Sequence, residues 1–476
     1  MKLKPILPLL LAVFIFFSCE PPNEITLTIG QQKDLASMVP AKFAGQELSW
    51  TSSDPETASV TDKGIVTALK FSSGGANLFL KAPATGEAII TVTAGKQSHS
   101  VKVITTVKGK EDIEKLPPLK DHFKDYFLIG NIFNNRDVSG SMMDNDWLAH
   151  HYAILTPENH MKPSNLTNNR NETTGEITYT FSTADRMVNA AIAEGLKIHG
   201  HTLLWHQQIP PWQRSMESAA KDAALSVMKK YITEVMTHYK GKIYSWDVLN
   251  EIFPDGRGDN WTTAMRPENP WFKSIGSDFV YEAYLAARQA DPNAILYYND
   301  YNMDQAGKAA LIAAMVRDVN AKYKQAYPRE TRLLIEGIGM QSHHNMDVPA
   351  SNIRNTINRY RELGVKISVS ELDILCMGWS AFRGSTGQGA DKDDMTIATN
   401  RNILDQAYKF NEYMKLYLEN SDIIERVSMW GVSDRYSWRS GGLPLLFDAD
   451  NKAKPAYYSF VRAREDYEAA KAAKAE

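Results

Sequence analysis

The stretch Ile243–Phe253, "IYSWDVLNEIF", reads as a buried β-strand as far as Leu249 and then places an amide and a carboxylate, Asn250 and Glu251, at its end. No basic residue stands beside Glu251, and a carboxylate in apolar surroundings is costly to hold unless something satisfies or uses it. Seven further runs have the same character: "FLIGNIF" (127–133), "ILTPEN" (154–159), "KIHGHTLLW" (197–205), "AILYYNDYN" (294–302), "IEGIGMQSHH" (335–344), "KISVSELD" (366–373) and "RVSMWGVSD" (426–434). Between them lie helical patterns such as "TADRMVNAAIAEG" (183–195) and "FVYEAYLAARQAD" (279–291), apolar at spacings of three and four. Strand alternating with helix implies a parallel sheet, and eight units across 120–465 predict an α/β fold, a (β/α)8 TIM barrel. An open doubly wound sheet is the alternative. Against it, no Gly-rich phosphate loop follows the first strand, and polar residues gather at nearly every strand end. A barrel brings those ends to one face, so Glu158, His201, Glu251, Tyr301, His343, Glu371 and Trp430 would ring a single cavity.

Composition narrows the partners. The 476 residues are 43% hydrophobic, enough for a large core and more than one domain. Lys plus Arg (53) nearly balances Asp plus Glu (56), which argues against a nucleic-acid partner and suits a neutral substrate. There are two cysteines, Cys19 and Cys376, and no disulfide framework is proposed. Lys2 and Lys4, then an apolar run from Ile6 to Phe17, then Ser18 and Cys19, follow the order of an export signal. Its apolar part is too short for an ordinary transmembrane helix. The cysteine after a small residue resembles a bacterial lipobox, although Phe16 and Phe17 depart from the usual residues there. Residues 1–18 are therefore expected as a removed leader, with Cys19 lipidated and the protein exported and membrane-anchored, at the cell surface or facing the periplasm from an outer membrane. The alternative leaves Cys19 an ordinary signal residue. Cys376 is expected to be a quiet buried thiol.

From 24 to 107, short alternating segments recur: "ITLTIG", "LSWTSSD", "ASVTDKGIVTAL", "AIITVTAG" and "SHSVKVIT". Turn residues separate them, the pattern of a small all-β sandwich. "LSWTSSDPETASVTDKGIVTAL" followed by "ITVT" resembles the bacterial Ig-like group 2 domains, which implies a spacer or weak adhesion module with Trp50 in its core. "KFSSGGANLFLKAPATGE" (70–87) breaks every period and reads as an inserted loop. Residues 108–119, charged and carrying a Pro-Pro pair, read as a linker, and 466–476 as a solvated helical tail.

Glu251 and Glu371 are both carboxylates at strand ends, on the fourth and seventh strands. Across a barrel mouth such positions can reach the separation that glycoside hydrolysis requires, where one carboxyl gives a proton to the leaving oxygen and the other attacks the anomeric carbon. For either alone, a salt bridge or helix cap would be the simpler reading. Trp205, Trp430, Trp438, Tyr298 and Tyr301 fall at or just beyond strand ends, where flat faces can stack on sugar rings. They stand near Gln208, Asn250, Gln341 and His343, which are expensive to bury unused.

"GHTLLWHQQIP", "WDVLNE", "YNDYN", "GIGMQSH", "SELD" and "MWGVSD" together resemble, in order and spacing, family 10 of the glycoside hydrolases, the retaining endo-β-1,4-xylanases. The resemblance runs to "KPAYYSF" and implies Glu251 as general acid/base and Glu371 as nucleophile. It implies that Glu158, Asn159 and Lys162 of "TPENHMKP", with His201, Trp205 and Gln208, meet the sugars on the glycone side. Asn250 would bond the 2-hydroxyl of the sugar being cleaved, Gln341 and His343 would lie near the nucleophile, Asp373 would support them through His343, and Trp430 and Trp438 would wall the glycone side. Xylan or xylo-oligosaccharides are the implied partner of a monomer that needs no cofactor and no metal. The segment "CMGWSAFRGSTGQGADKDDMT" (376–396) departs from the family pattern and reads as a mobile loop by the cleft.

Two other functions fit parts of the pattern. His199 and His201 put two rings on one strand face, and with His343, His344 and Asp373 they could form a metal-dependent hydrolase site. The pair lies on the third strand instead of the first, and no bridging lysine follows, which counts against it. A surface xylan-binding protein without catalysis would suit the Ig-like module and anchor. Such a loss usually shows as a substituted carboxylate, and both are present.

Overall fold

A computed structural model describes residues 23–69, 86–140, 142–144, 146–256, 258–385 and 400–474. The expected leader with Cys19, and all but the last two residues of the expected loop 70–87, lie outside them. The chain forms two compact units, the first ending at Thr106 and the second beginning at Val107.

The first unit is a two-sheet β domain. One sheet orders Glu24–Thr28, Gln97–Thr106, Gly86–Ala94 and Ser49–Ser52, and the other orders Gln32–Asp34, Ile65–Ala68 and Ala58–Val60. Period-two burial explains the strands: Ala88, Ile90, Val92 and Ala94 are buried while Glu87 and Ile89 are exposed. Of the inward residues, Ala88 and Ile90 meet Leu27, Leu35, Val66 and Val103 in a small core, and Trp50 packs against it as expected.

The second unit is a closed barrel of eight parallel strands. In order they are Leu128–Phe133, Ile154–Pro157, Lys197–Gly200, Ser245–Asn250, Ile295–Asp300, Gly337–Met340, Lys366–Ile374 and Ile424–Met429. Each pairs with its sequence neighbours, and the eighth closes on the first, with Ser428 opposite Gly130. Helices lie outside. The helix Ser182–Ala193 turns Ala184, Met187, Val188 and Ala191 inward at spacings of three and four. The third strand stops earlier than expected, at Gly200; the chain rejoins the sheet only at a bridge between Leu204 and Leu249. Gly200 is a site of close approach, since a Cβ there would lie 2.3 Å from the Trp246 ring.

The expected linker 108–119 is corrected in its second half. Ile113 and Leu116 are buried in the barrel core, and the Tyr458 hydroxyl donates to the Glu111 carboxylate at 2.8 Å. Charge and prolines suggested a solvated link, but two apolar residues three apart bury one side of the turn Ile113–Lys115. At the other end the helix Pro455–Ala473 crosses residues 465 and 466 without a break and is exposed from Glu468 onward.

Candidate active site

The question posed by Glu251 is answered by its backbone. It directly follows the fourth strand with φ of 54°, a left-handed conformation that costs a non-glycine residue about 1–2 kcal/mol. The turn is held from both sides: the Glu251 N–H donates to the Asn299 carbonyl (2.9 Å), and its own carbonyl accepts from Arg266 Nε (2.8 Å). The carboxylate thereby turns into the barrel mouth, where Oε2 accepts from Trp205 Nε1 (3.0 Å) and Oε1 from Gln341 Nε2 (2.8 Å).

Glu371 lies inside the seventh strand and is 4% exposed. Its Oε1 accepts from Asn299 Nδ2 (2.7 Å), and Oε2 meets His343 Nε2 (3.1 Å). The other ring nitrogen of His343 lies 2.9 Å from Asp373 Oδ2. Burial works against a charged imidazole, but the Asp373 and Glu371 carboxylates outweigh it and hold His343 up at about 9. At neutral pH His343 is therefore an imidazolium donating to a carboxylate at each end. Asp373 is fully buried and is itself gripped by Trp438 Nε1 (3.0 Å) and the Arg439 guanidinium.

Neutral amides link the two glutamates. Asn299 Nδ2 also donates to Asn250 Oδ1 (3.0 Å), and Asn299 Oδ1 accepts from Ser370 Oγ (2.6 Å). Asn250 and Gln341 continue the chain to Glu251. The members stand at the ends of the fourth, fifth, sixth and seventh strands, so closure of the barrel builds the network.

Of the residues that the family resemblance implies as catalytic or sugar-binding, all but Asn159, Gln208 and Asp373 line one cavity of about 860 Å³. Asn159 accepts from both Lys162 Nζ (3.2 Å) and Gln208 Nε2 (3.3 Å), so these two amides brace the buried lysine. Burial lowers the Lys162 ammonium, against the pull of Glu371, Glu158 and Glu251. Lys162 also lies over the Trp205 ring, 5.1 Å from its centroid. Glu158 accepts from Asn134 Nδ2 at 2.5 Å. Trp430 is nearly buried and Trp438 is 60% exposed, both edge-on to His343.

Tyr298 is corrected. It is fully buried, donating to Asp300 Oδ2 (2.5 Å) and accepting from the Ile252 N–H (3.2 Å), so no sugar can stack on it. Tyr301, beyond the same strand, does reach the cavity, with Lys308 Nζ 3.4 Å from its ring centroid. In the segment 376–396, expected as a loop, Trp379–Ser385 is a helix, and Trp379 lines the cavity. Residues 386–396 lie outside the described ones. Cys376 is buried and its thiol is pushed up to about 12 by that burial.

The residues of the metal reading do not gather. His199 and His201 both lie 2.9 Å from Asp247 Oδ2, while His344 packs edge-on against Tyr413. Among the described residues no group of three or more His, Cys, Asp or Glu side chains is placed to hold a metal ion. Burial opposes the Asp247 charge, yet the two imidazoles hold its carboxyl well below the usual range.

Sequence reading missed Asn299, Asp247, Arg439 and Trp379. Asn299 and Asp247 stood in quoted strand-end motifs, "YNDYN" and "WDVLNE", and the buried polar rule could have marked them. Nothing local distinguishes Arg439 or Trp379.

A barrel mouth presenting two glutamates among amides, an imidazolium and indoles is the architecture of the two-carboxylate (β/α)8 glycoside hydrolases. The chain belongs to glycosyl hydrolase family 10, whose profile matches residues 118–463, and a bacterial Ig-like domain (group 2) profile matches 21–105. It is 32% identical over 373 residues to endo-1,4-beta-xylanase A of Thermotoga maritima, covering 76% of this chain but 32% of that protein. The chain thus spans about a third of that relative's length. It is 33% identical over 357 residues to an endo-1,4-beta-xylanase of Geobacillus stearothermophilus, covering 73% of this chain and 98% of the other. Among solved structures, an intracellular xylanase from Thermoanaerobacterium saccharolyticum aligns with a TM-score of 0.60 and 32% identity, over 73% of this chain and 98% of that one. A variant of that enzyme was solved with xylotetraose at the same similarity.

Proposed function

We propose that this chain is a retaining endo-β-1,4-xylanase. The observation that carries the role assignment is the difference between the two carboxylates' partners. Glu251 takes side-chain hydrogen bonds from neutral donors only, Trp205, Gln341 and Asn250, whereas Glu371 faces the His343 imidazolium. In the first step Glu371 attacks the anomeric carbon as Glu251 gives its proton to the departing glycosidic oxygen, leaving a glycosyl ester on Glu371. In the second, Glu251 takes a proton from water, the water oxygen attacks the anomeric carbon, and Glu371 leaves as a carboxylate. Two inversions give net retention. Asn299 and His343 orient Glu371, and Asn250 faces the sugar being cleaved. The xylanase relatives, one solved with a xylo-oligosaccharide, support xylan as the substrate.

The test uses product stereochemistry. Glu251→Ala should slow hydrolysis of xylan strongly and of activated aryl xylosides much less, with azide restoring turnover and yielding the β-glycosyl azide. Glu371→Ala with azide should yield the α product, because no ester precedes attack. Wild-type rates on xylan in both variants would defeat the assignment. Export and lipidation at Cys19 belong to the same proposal and rest on residues 2–19 of the sequence.

A further inference from the structure

The chain leaves the fourth strand through Glu251 and Ile252 and comes back to both of them at Arg266. The Arg266 N–H donates to the Ile252 carbonyl (2.8 Å), and its Nε donates to the Glu251 carbonyl (2.8 Å). One residue thus closes the loop onto two successive peptide groups directly behind the Glu251 carboxylate. The rest of its guanidinium reaches further: Nη1 donates to Glu268 (3.2 Å), and Nη2 donates to the hydroxyl of Tyr301 (2.5 Å), which lines the cavity. The Arg266 side chain is only 13% exposed. Burial works against its charge, but Tyr301, Glu268, Asp300 and Glu251 outweigh that cost and keep it a cation.

The two glutamates differ in what they ask of the backbone. Glu371 lies inside the seventh strand and has no left-handed turn to hold. Glu251 has one, at φ of 54°, and such a conformation persists in a non-glycine residue only where its surroundings over-determine it. A planar fork that binds a backbone carbonyl with one arm and a phenol with another is suited to that task, and a point-like ammonium is not.

We propose that Arg266 is a positioning residue for proton transfer: it locks the turn that aims the Glu251 carboxyl at the glycosidic oxygen and ties that aim to the Tyr301 wall of the cavity. The inference rests on the proposed retaining mechanism and assigns a residue to one of its two carboxylates. Released from Nε, the turn relaxes toward extended backbone and the carboxyl swings off its line. A displacement of about 1 Å can cost about a hundredfold in rate. Glu371 keeps its own partners, so a leaving group that departs without a proton is little affected.

The test compares kcat/KM, which reports the first step, on plain xylo-oligosaccharide and on an activated aryl xyloside. In Arg266→Gln the first should fall about a hundredfold and the second by less than about threefold, with azide speeding turnover of the aryl xyloside. Arg266→Lys, which keeps the charge without the fork, guards against a glutamine variant that fails to fold and should show the same split at smaller size. Tyr301→Phe, which removes only the hydroxyl, should show it too, and a uniform effect there would overturn the tie to the cavity wall. Equal losses on both substrates in the Arg266 variants would make the residue a general support of the fold, and unchanged rates would show that the turn holds itself; either result overturns the proposal. A wild-type protein that fails to cut xylan would refute the enzymatic reading instead, so the two failures are separable.

Discussion

Replacing Asp373 by Asn tests the electrostatic core of the site. In the native protein His343 is 12% exposed and is held from its ordinary 6.5 up to about 9, which corresponds to about 3 kcal/mol of preference for the imidazolium. Of the two carboxylates, Asp373 contributes the larger share. Asp373→Asn keeps the shape but removes that charge, leaving Glu371 alone against burial, and the midpoint of His343 should fall by about two pH units. Selective isotope labelling of the histidines and a ring-resonance titration by NMR would read both midpoints directly. The stability consequence has a definite sign. A group whose folded value is raised contributes its full stabilisation below the unfolded value of about 6.5 and loses it as pH rises through about 9. Across that window the wild-type barrel should lose about 3 kcal/mol from this group, and Asp373→Asn should lose much less, a difference measurable by urea unfolding at matched pH. A wild-type midpoint below 7, or one that does not move in Asp373→Asn, would refute the account of the imidazolium.

Asn299→Ala removes the donor that serves both Glu371 and Asn250, and kcat on xylo-oligosaccharide should drop by about a hundredfold, with a melting curve separating this from unfolding. Gly200→Ala forces a methyl against the Trp246 ring and should destabilise the barrel by about 1–3 kcal/mol; a melting temperature equal to wild type would show that the wall can yield. Cys19→Ala should release the protein from the detergent phase or block its processing, whereas a wholly soluble wild-type protein with its mature N-terminus elsewhere would end the lipoprotein proposal.

The barrel was legible because its signals are local. An apolar strand followed by an amphipathic helix repeats eight times, and each repeat can be read within some twenty to fifty residues without knowing its neighbours. Strand-end position then marked Glu251 and Glu371, and the second-unit core formed where those periods placed it. Reading failed where a local cue had two outcomes. Tyr298 and Tyr301 stand three apart in one motif, yet one is sealed beneath Asp300 and Ile252 while the other faces the cavity. The proline-rich 108–119 carried Ile113 and Leu116, whose burial depends on a core contributed from elsewhere.

By itself, then, the amino-acid order determined the element types, the barrel and the two strand-end glutamates that line its cavity, since periodicity and strand termini are properties of short segments. The tertiary structure alone decided their partners: Asn299 between Asn250 and Glu371, Asp247 beneath His199 and His201, and Arg439 with Trp438 on Asp373. These groups come from strands and loops far apart in the chain. A hydrogen bond forms only at about 3 Å, a proximity that closing the barrel creates and no local pattern encodes. The charge on His343 has the same origin, because it depends on burial and on two carboxylates that meet the ring only after the sixth and seventh strands lie side by side.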